Sequence, residues 1–146
     1  MTLYVWLKYI HLLGVGVFLM AHGVSAGVSL AVRGRSLDSV TRLLLQLSIR
    51  ATPASYAGLG VIVVTGVWMG FAGSWWRTMW IWTAIVILVL LIVVMSALSV
   101  PYHRARDIKE DTASASPLAK ARPTVMLWVG VAGLMALVFL MVFKPF

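Results

Sequence analysis

Two histidines, His11 and His22, stand inside the first long apolar stretch of the chain. Ionisable side chains inside a membrane span are costly, so each is a candidate for function. Eleven residues separate them, which on an α-helix is about 20° of rotation and about 16 Å of rise. They therefore share one face at two depths. Lys8 falls on nearly the same stripe as His11 and is close enough to the end of the stretch to snorkel. Histidine is a common axial ligand of haem b, and a helical bundle offers the apolar slot that haem needs. Two histidines on one helix at this separation cannot clamp one iron, so a second ligand must come from another helix. Counted inward from the outer surface, Met135 in the fourth apolar stretch falls near the level of His11, which makes a His/Met site. His22 has no such counterpart. His11 is also the candidate ligand for any other bound metal. The structural alternative for both histidines is a hydrogen bond to a neighbouring helix, worth about 1 kcal/mol.

The elements that position these residues follow from composition. Of the 146 residues 62% are hydrophobic and only 11% charged, with a mean hydropathy of +0.99. A soluble domain carries about a quarter charged residues, so a water-soluble globule is excluded. Cysteine is absent, which removes disulfides, thiolate metal sites, iron-sulfur ligation and thiol catalysis. The net charge of +8 does not point to nucleic acid, because the basic residues flank apolar spans instead of lining one face.

Four stretches can cross a hydrocarbon core, at about residues 3–32, 53–73, 78–100 and 124–143. Pro53 and Pro123 stand where helix starts tolerate proline, and Pro101 where the third helix should stop. The opening stretch lacks a basic start and is about twice the length of a signal-peptide core, so it reads as retained. Arg33, Arg35, Arg42 and Arg50 fall in the first connection, and Arg104, Arg106, Lys109, Lys120 and Arg122 in the second. Only Lys8, Arg77 and Lys144 fall on the other side. The positive-inside rule then puts both long connections in the cytoplasm and both termini outside. Trp75, Trp76, Trp80 and Trp82 flank the short connection as an aromatic belt at the outer interface.

In the first connection Leu37, Val40, Leu44 and Leu47 recur at helical spacing, with Ser36 as a cap. This pattern predicts an amphipathic cytoplasmic helix between helices one and two, lying in the inner leaflet's surface. The alternative is a cytoplasmic extension of helix two, with Pro53 marking only a kink. The second connection, rich in Ala, Ser and charges, reads as an exposed loop, and His103 with Asp107 in it as a solvated pair with metal-ligand spacing. The fold class is thus all-α: a polytopic, single-domain, four-transmembrane-helix bundle spanning residues 1–146.

Close backbone approach through small residues packs helices in lipid. Gly23, Gly27, Ser25 and Ser29 on helix one, Ala54, Gly58, Gly66 and Gly70 on helix two, and Gly130 and Gly133 on helix four are the candidates. They predict that helices one, two and four pack together and that helix three sits more in lipid. Met20, Met69, Met95 and Met126 read as packing residues. The acids, Asp38, Asp107, Glu110 and Asp111, all fall in the cytoplasmic connections, so the bilayer holds no carboxylate pair for proton relay or acid/base work. Phosphate-binding and dinucleotide fingerprints are absent as well. No catalytic signature remains.

The stretch from Trp6 through Lys8 and His11 to Gly14, continued by Ala21, His22, Gly23 and on to Gly27, resembles an uncharacterised family of small bacterial four-helix membrane proteins. That family looks like a distant relative of CopD copper-resistance proteins and HemJ-type protoporphyrinogen oxidases. These share a Lys-x-x-His signature early in helix one, matched here by Lys8 and His11, with a fainter echo in Tyr102 and His103. The resemblance implies haem ligation by His11. HemJ-like proteins carry an activity-linked lysine near the start of helix three, where Thr83 and Ala84 stand here, so porphyrinogen oxidation is not implied. A dense Met/His cluster of the kind copper needs is not evident either.

The expectation is a multi-pass protein of the bacterial cytoplasmic (inner) membrane that binds haem b through His11. It would serve a redox or respiratory complex as a small subunit, with lipid, other membrane subunits or a second copy as partners. A cofactor-free accessory membrane protein is the alternative, and metal or small-solute permeation along the His11 to His22 stripe a third reading.

Overall fold

A computed structural model describes residues 3–107 and 117–145. Every regular element among them is helical. The main helices are α1 (Leu3–Ala31), α2 (Ser39–Ala72), α3 (Met79–Asp107) and α4 (Pro123–Phe143), with 3-10 turns at Trp75–Arg77 and Pro117–Lys120. All four are long and apolar enough to cross a membrane. The chain is a four-helix membrane bundle.

The helices run up and down in a ring, α1 beside α2, α2 beside α3, α3 beside α4 and α4 beside α1. Packing is dense between α1 and α2, moderate between α3 and α4, and light across the other two seams. Both described chain ends meet the short connection at one end. There Tyr4 makes an edge contact with Trp75, and the Lys144 ammonium lies 4.0 Å above the Trp75 ring. Trp80 is buried in a cluster with Ile81, Ala84 and Leu140, so part of the expected aromatic belt plugs the bundle instead of facing lipid. At the other end Val28, Val32, Leu45, Tyr102, Ala105 and Leu118 form a second core. Leu118 anchors the return of the second connection there. The middle of that connection, including Lys109, Glu110 and Asp111, lies outside the described residues.

Three expectations are corrected. The amphipathic segment after helix one is not a separate helix. It is the first part of α2, which runs unbroken for 34 residues through Pro53, about 51 Å at 1.5 Å per residue. Proline removes one backbone donor, and the Thr52 and Ser55 hydroxyls bond to the carbonyls of Ser48 and Ala51 around that gap. The face it buries also differs. Thr41, Leu45 and Ser48 pack inward while Val40 and Leu47 are exposed. Short polar side chains allow α1 to come close, and Ser48 Oγ donates to Ser25 Oγ at 3.2 Å. Likewise α3 continues past Pro101 to Asp107, so His103 belongs to a helix and not to a loop.

The third correction concerns packing. Gly130 and Gly133 of α4 lie against Met95 and Leu91 of α3, so α4 pairs chiefly with α3 and meets α1 only along a light seam. Gly23 and Gly27 face open space. The close approach of α1 and α2 happens instead at Gly14 and Gly58. A Cβ added at Gly58 would stand 2.7 Å from the Phe18 amide nitrogen and 3.0 Å from the Gly14 carbonyl oxygen.

The start of α2 is fixed by Asp38, whose carboxylate accepts the Thr41 N–H at 2.7 Å. That backbone hydrogen bond holds its pKa below the ordinary carboxylate value. A lowered folded-state pKa means that the cap stabilises the helix above the unfolded value of about 4 and is lost as pH falls below it. Amide exchange at residues 39–42 should therefore quicken in Asp38→Ala at neutral pH, and the difference from wild type should vanish in acid. Equal protection at neutral pH would contradict the cap's role.

Candidate functional site

His11 lies on the face of α1 that also buries Leu7, Gly14, Ala21 and Val28. Opposite stand Gly58, Thr65 and Met69 of α2. The antiparallel pairing sets Thr65 level with His11. Their side chains meet at 2.9 Å, Nδ1 to Oγ1, and His11 is only 6% exposed. Gly66 lies against the ring. A Cβ there would be 3.5 Å from His11 Cε1, an ordinary van der Waals contact, so the ring packs directly on this position of α2.

The network assigns the tautomer. A threonine hydroxyl has one proton to donate, and that of Thr65 goes to the Val61 carbonyl, with the Ile62 carbonyl as a longer second acceptor. The oxygen's remaining lone pair faces His11, so His11 Nδ1–H donates and Thr65 Oγ1 accepts. The Nε2 lone pair is left for another partner. A histidine whose one ring N–H is fixed by a hydrogen bond, with the other nitrogen free, is oriented as a metal ligand would be.

The other expected site residues are not brought to this point. Met135 is 67% exposed. It lies about 200° around α4 from Gly133, which meets α3. Lys8 is exposed, although Leu7 beside it is buried. His22 is half-buried and stacks on Phe18 of its own helix, with ring centroids 5.2 Å apart and 13° between planes. Between the two histidines Gly14 and Ala21 are buried, so no polar stripe joins them. Among the described residues no three His, Cys, Asp or Glu side chains gather as a metal site.

The donor set therefore fits one axial ligand, His11, and no second from Met135 or His22. Thr65 is the residue that sequence reasoning missed. Depth alone could have found it, since it stands seven residues from the end of α2 while His11 stands eight from the start of α1. No protein-family model, no curated protein and no solved structure matches the chain.

Proposed function

We propose that this membrane bundle holds one haem b through His11 Nε2 and acts as a small electron-transfer subunit of a redox or respiratory complex in the bacterial cytoplasmic membrane. The observation that supports the reading is the tautomer. Thr65 Oγ1 accepts the hydrogen bond from His11 Nδ1–H and leaves Nε2 as a ligand. The resemblance of the Lys8/His11 stretch to HemJ-like proteins points the same way. Bound haem would supply a one-electron couple. The chain's own contribution is to fix the imidazole: α2 seats the ring on Gly66, Thr65 sets its orientation, and the apolar span keeps water away.

Absorbance of the purified protein in detergent, oxidised and then reduced, tests this. A Soret band should be present, lost in His11→Ala and retained in His22→Ala and Met135→Leu. Wild-type protein without a Soret band, from cells replete in haem, would overturn it. The second reading, a cofactor-free accessory membrane protein, is favoured by the deep burial of His11 against α2. In that case the histidine only ties α1 to α2, and the protein is equally stable from haem-depleted cells.

A further inference from the structure

At the end opposite the tryptophans, basic residues from two different connections converge. Arg33 follows the last turn of α1 and donates through its guanidinium to Thr124 Oγ1 of α4 at 3.1 Å. Thr124 is two residues from Arg122, the N-cap of α4, whose side chain makes no capping bond. Both arginines are exposed. The partner of Arg33 is a neutral hydroxyl, and one bond leaves four of the guanidinium's five N–H donors free. Arg35 stands two residues further on, after Gly34, whose φ of 69° turns the chain. The one acid of this connection, Asp38, already has its carboxylate on the Thr41 amide.

Depth in the membrane identifies what meets these charges. The 21 residues of α4 span about 31 Å, the thickness of a hydrocarbon core. One end of α4 is fixed at an interface by Lys144 among Trp75 and Trp80. The other end, with Arg122 and Arg33, then lies at the level of the opposite leaflet's phosphates. Below each arginine by three residues is an exposed apolar side chain, Leu30 under Arg33 and Val125 under Arg122. The α1–α4 seam, which Arg33 and Thr124 bridge at this end, is one of the two lightly packed seams of the ring.

We propose that Arg33 and Arg122 bind the phosphate of an anionic phospholipid, whose acyl chains lie over Leu30 and Val125 along the α1–α4 seam. Paired guanidinia suit this ligand because each can hold two phosphate oxygens at once. Basic pockets between helices at such a membrane face recognise anionic headgroups. The site is independent of haem and of His11.

Native mass spectrometry of the full chain in mild detergent tests it, with phosphatidylglycerol titrated against phosphatidylcholine. Wild type should retain the anionic lipid preferentially. Arg33→Gln/Arg122→Gln should lose about tenfold in retention. A control that removes the same charge elsewhere, Arg50→Gln/Arg77→Gln, should stay within about twofold of wild type. Arg33→Lys/Arg122→Lys, which keeps the charge but not the fork, should fall between, and it serves if the glutamine pair does not fold. No lipid preference in wild type, an equal loss in the control, or displacement by inorganic phosphate at equal concentration would overturn the proposal.

Discussion

Gly58→Ala should destabilise the bundle by about 1–3 kcal/mol, the usual cost of overpacking, whereas Gly23→Ala and Gly27→Ala should be neutral or slightly stabilising. All three are helical glycines inside spans, and alanine is the better helix former by about 1 kcal/mol. Surroundings decide the sign. At Gly23 and Gly27 an added methyl meets nothing within 4 Å. At Gly58 it meets the Phe18 amide nitrogen, the Phe18 Cα and the Gly14 carbonyl, all of them backbone. Backbone cannot rotate aside as a side chain would, so the two helices must separate. Separation has a consequence beyond stability, because Thr65 lies two turns along α2 from Gly58 and His11 one turn along α1 from Gly14. Gly58→Ala should loosen the His11–Thr65 hydrogen bond as well. Unfolding in mixed micelles, followed by far-ultraviolet circular dichroism, measures the first effect. A Gly58→Ala protein as stable as Gly23→Ala would show that the α1–α2 contact is not set by this crossing.

That contrast also explains how far the sequence could be read. Span number, the all-helical class and the placing of both described ends beside the Trp75 connection follow from hydropathy and length, which act through the solvent and need no partner. Small-residue spacing is different. Gly23 and Gly27 have the same four-residue interval as Gly66 and Gly70, but only the second pair is met, by the His11 ring and by Trp76. An interval tells which residues share a face and says nothing of whether another helix covers it. Met135 shows the same limit. Depth counting sets it level with His11, yet rotation about α4 carries it away from the face at Gly130 and Gly133 that packs on α3. Pro53 and Pro101 misled for a separate reason. Proline removes a donor, and read alone it marks a boundary, but hydroxyls at Thr52 and Ser55 bond to carbonyls around Pro53 and the helix continues.

Thr65→Val should cost more than the His11–Thr65 hydrogen bond is itself worth. Interhelical hydrogen bonds in membranes average about 0.6 kcal/mol, because both partners find other company when the helices part. Removing only the acceptor is a different change. Valine keeps the shape, α2 still closes over the ring, and the Nδ1–H of a 6% exposed histidine loses its hydroxyl partner where no water can replace it. An orphaned buried donor costs about 1–3 kcal/mol. Thr65→Ser, which restores the oxygen, should recover most of that loss. Replacing both partners, as in His11→Leu/Thr65→Val, should be less destabilising than the two single losses added together, because no polar group is then left unpaired. Additive losses in this cycle would mean that the two side chains are not coupled. If haem is bound, the same variant reads the ligand directly. A hydrogen bond accepted from the far nitrogen raises the imidazole's basicity toward iron and favours the oxidised state, so Thr65→Val should keep the Soret band while the midpoint potential rises. His11 acting only as a tie between helices predicts the stability cycle alone, without a haem spectrum for Thr65 to tune.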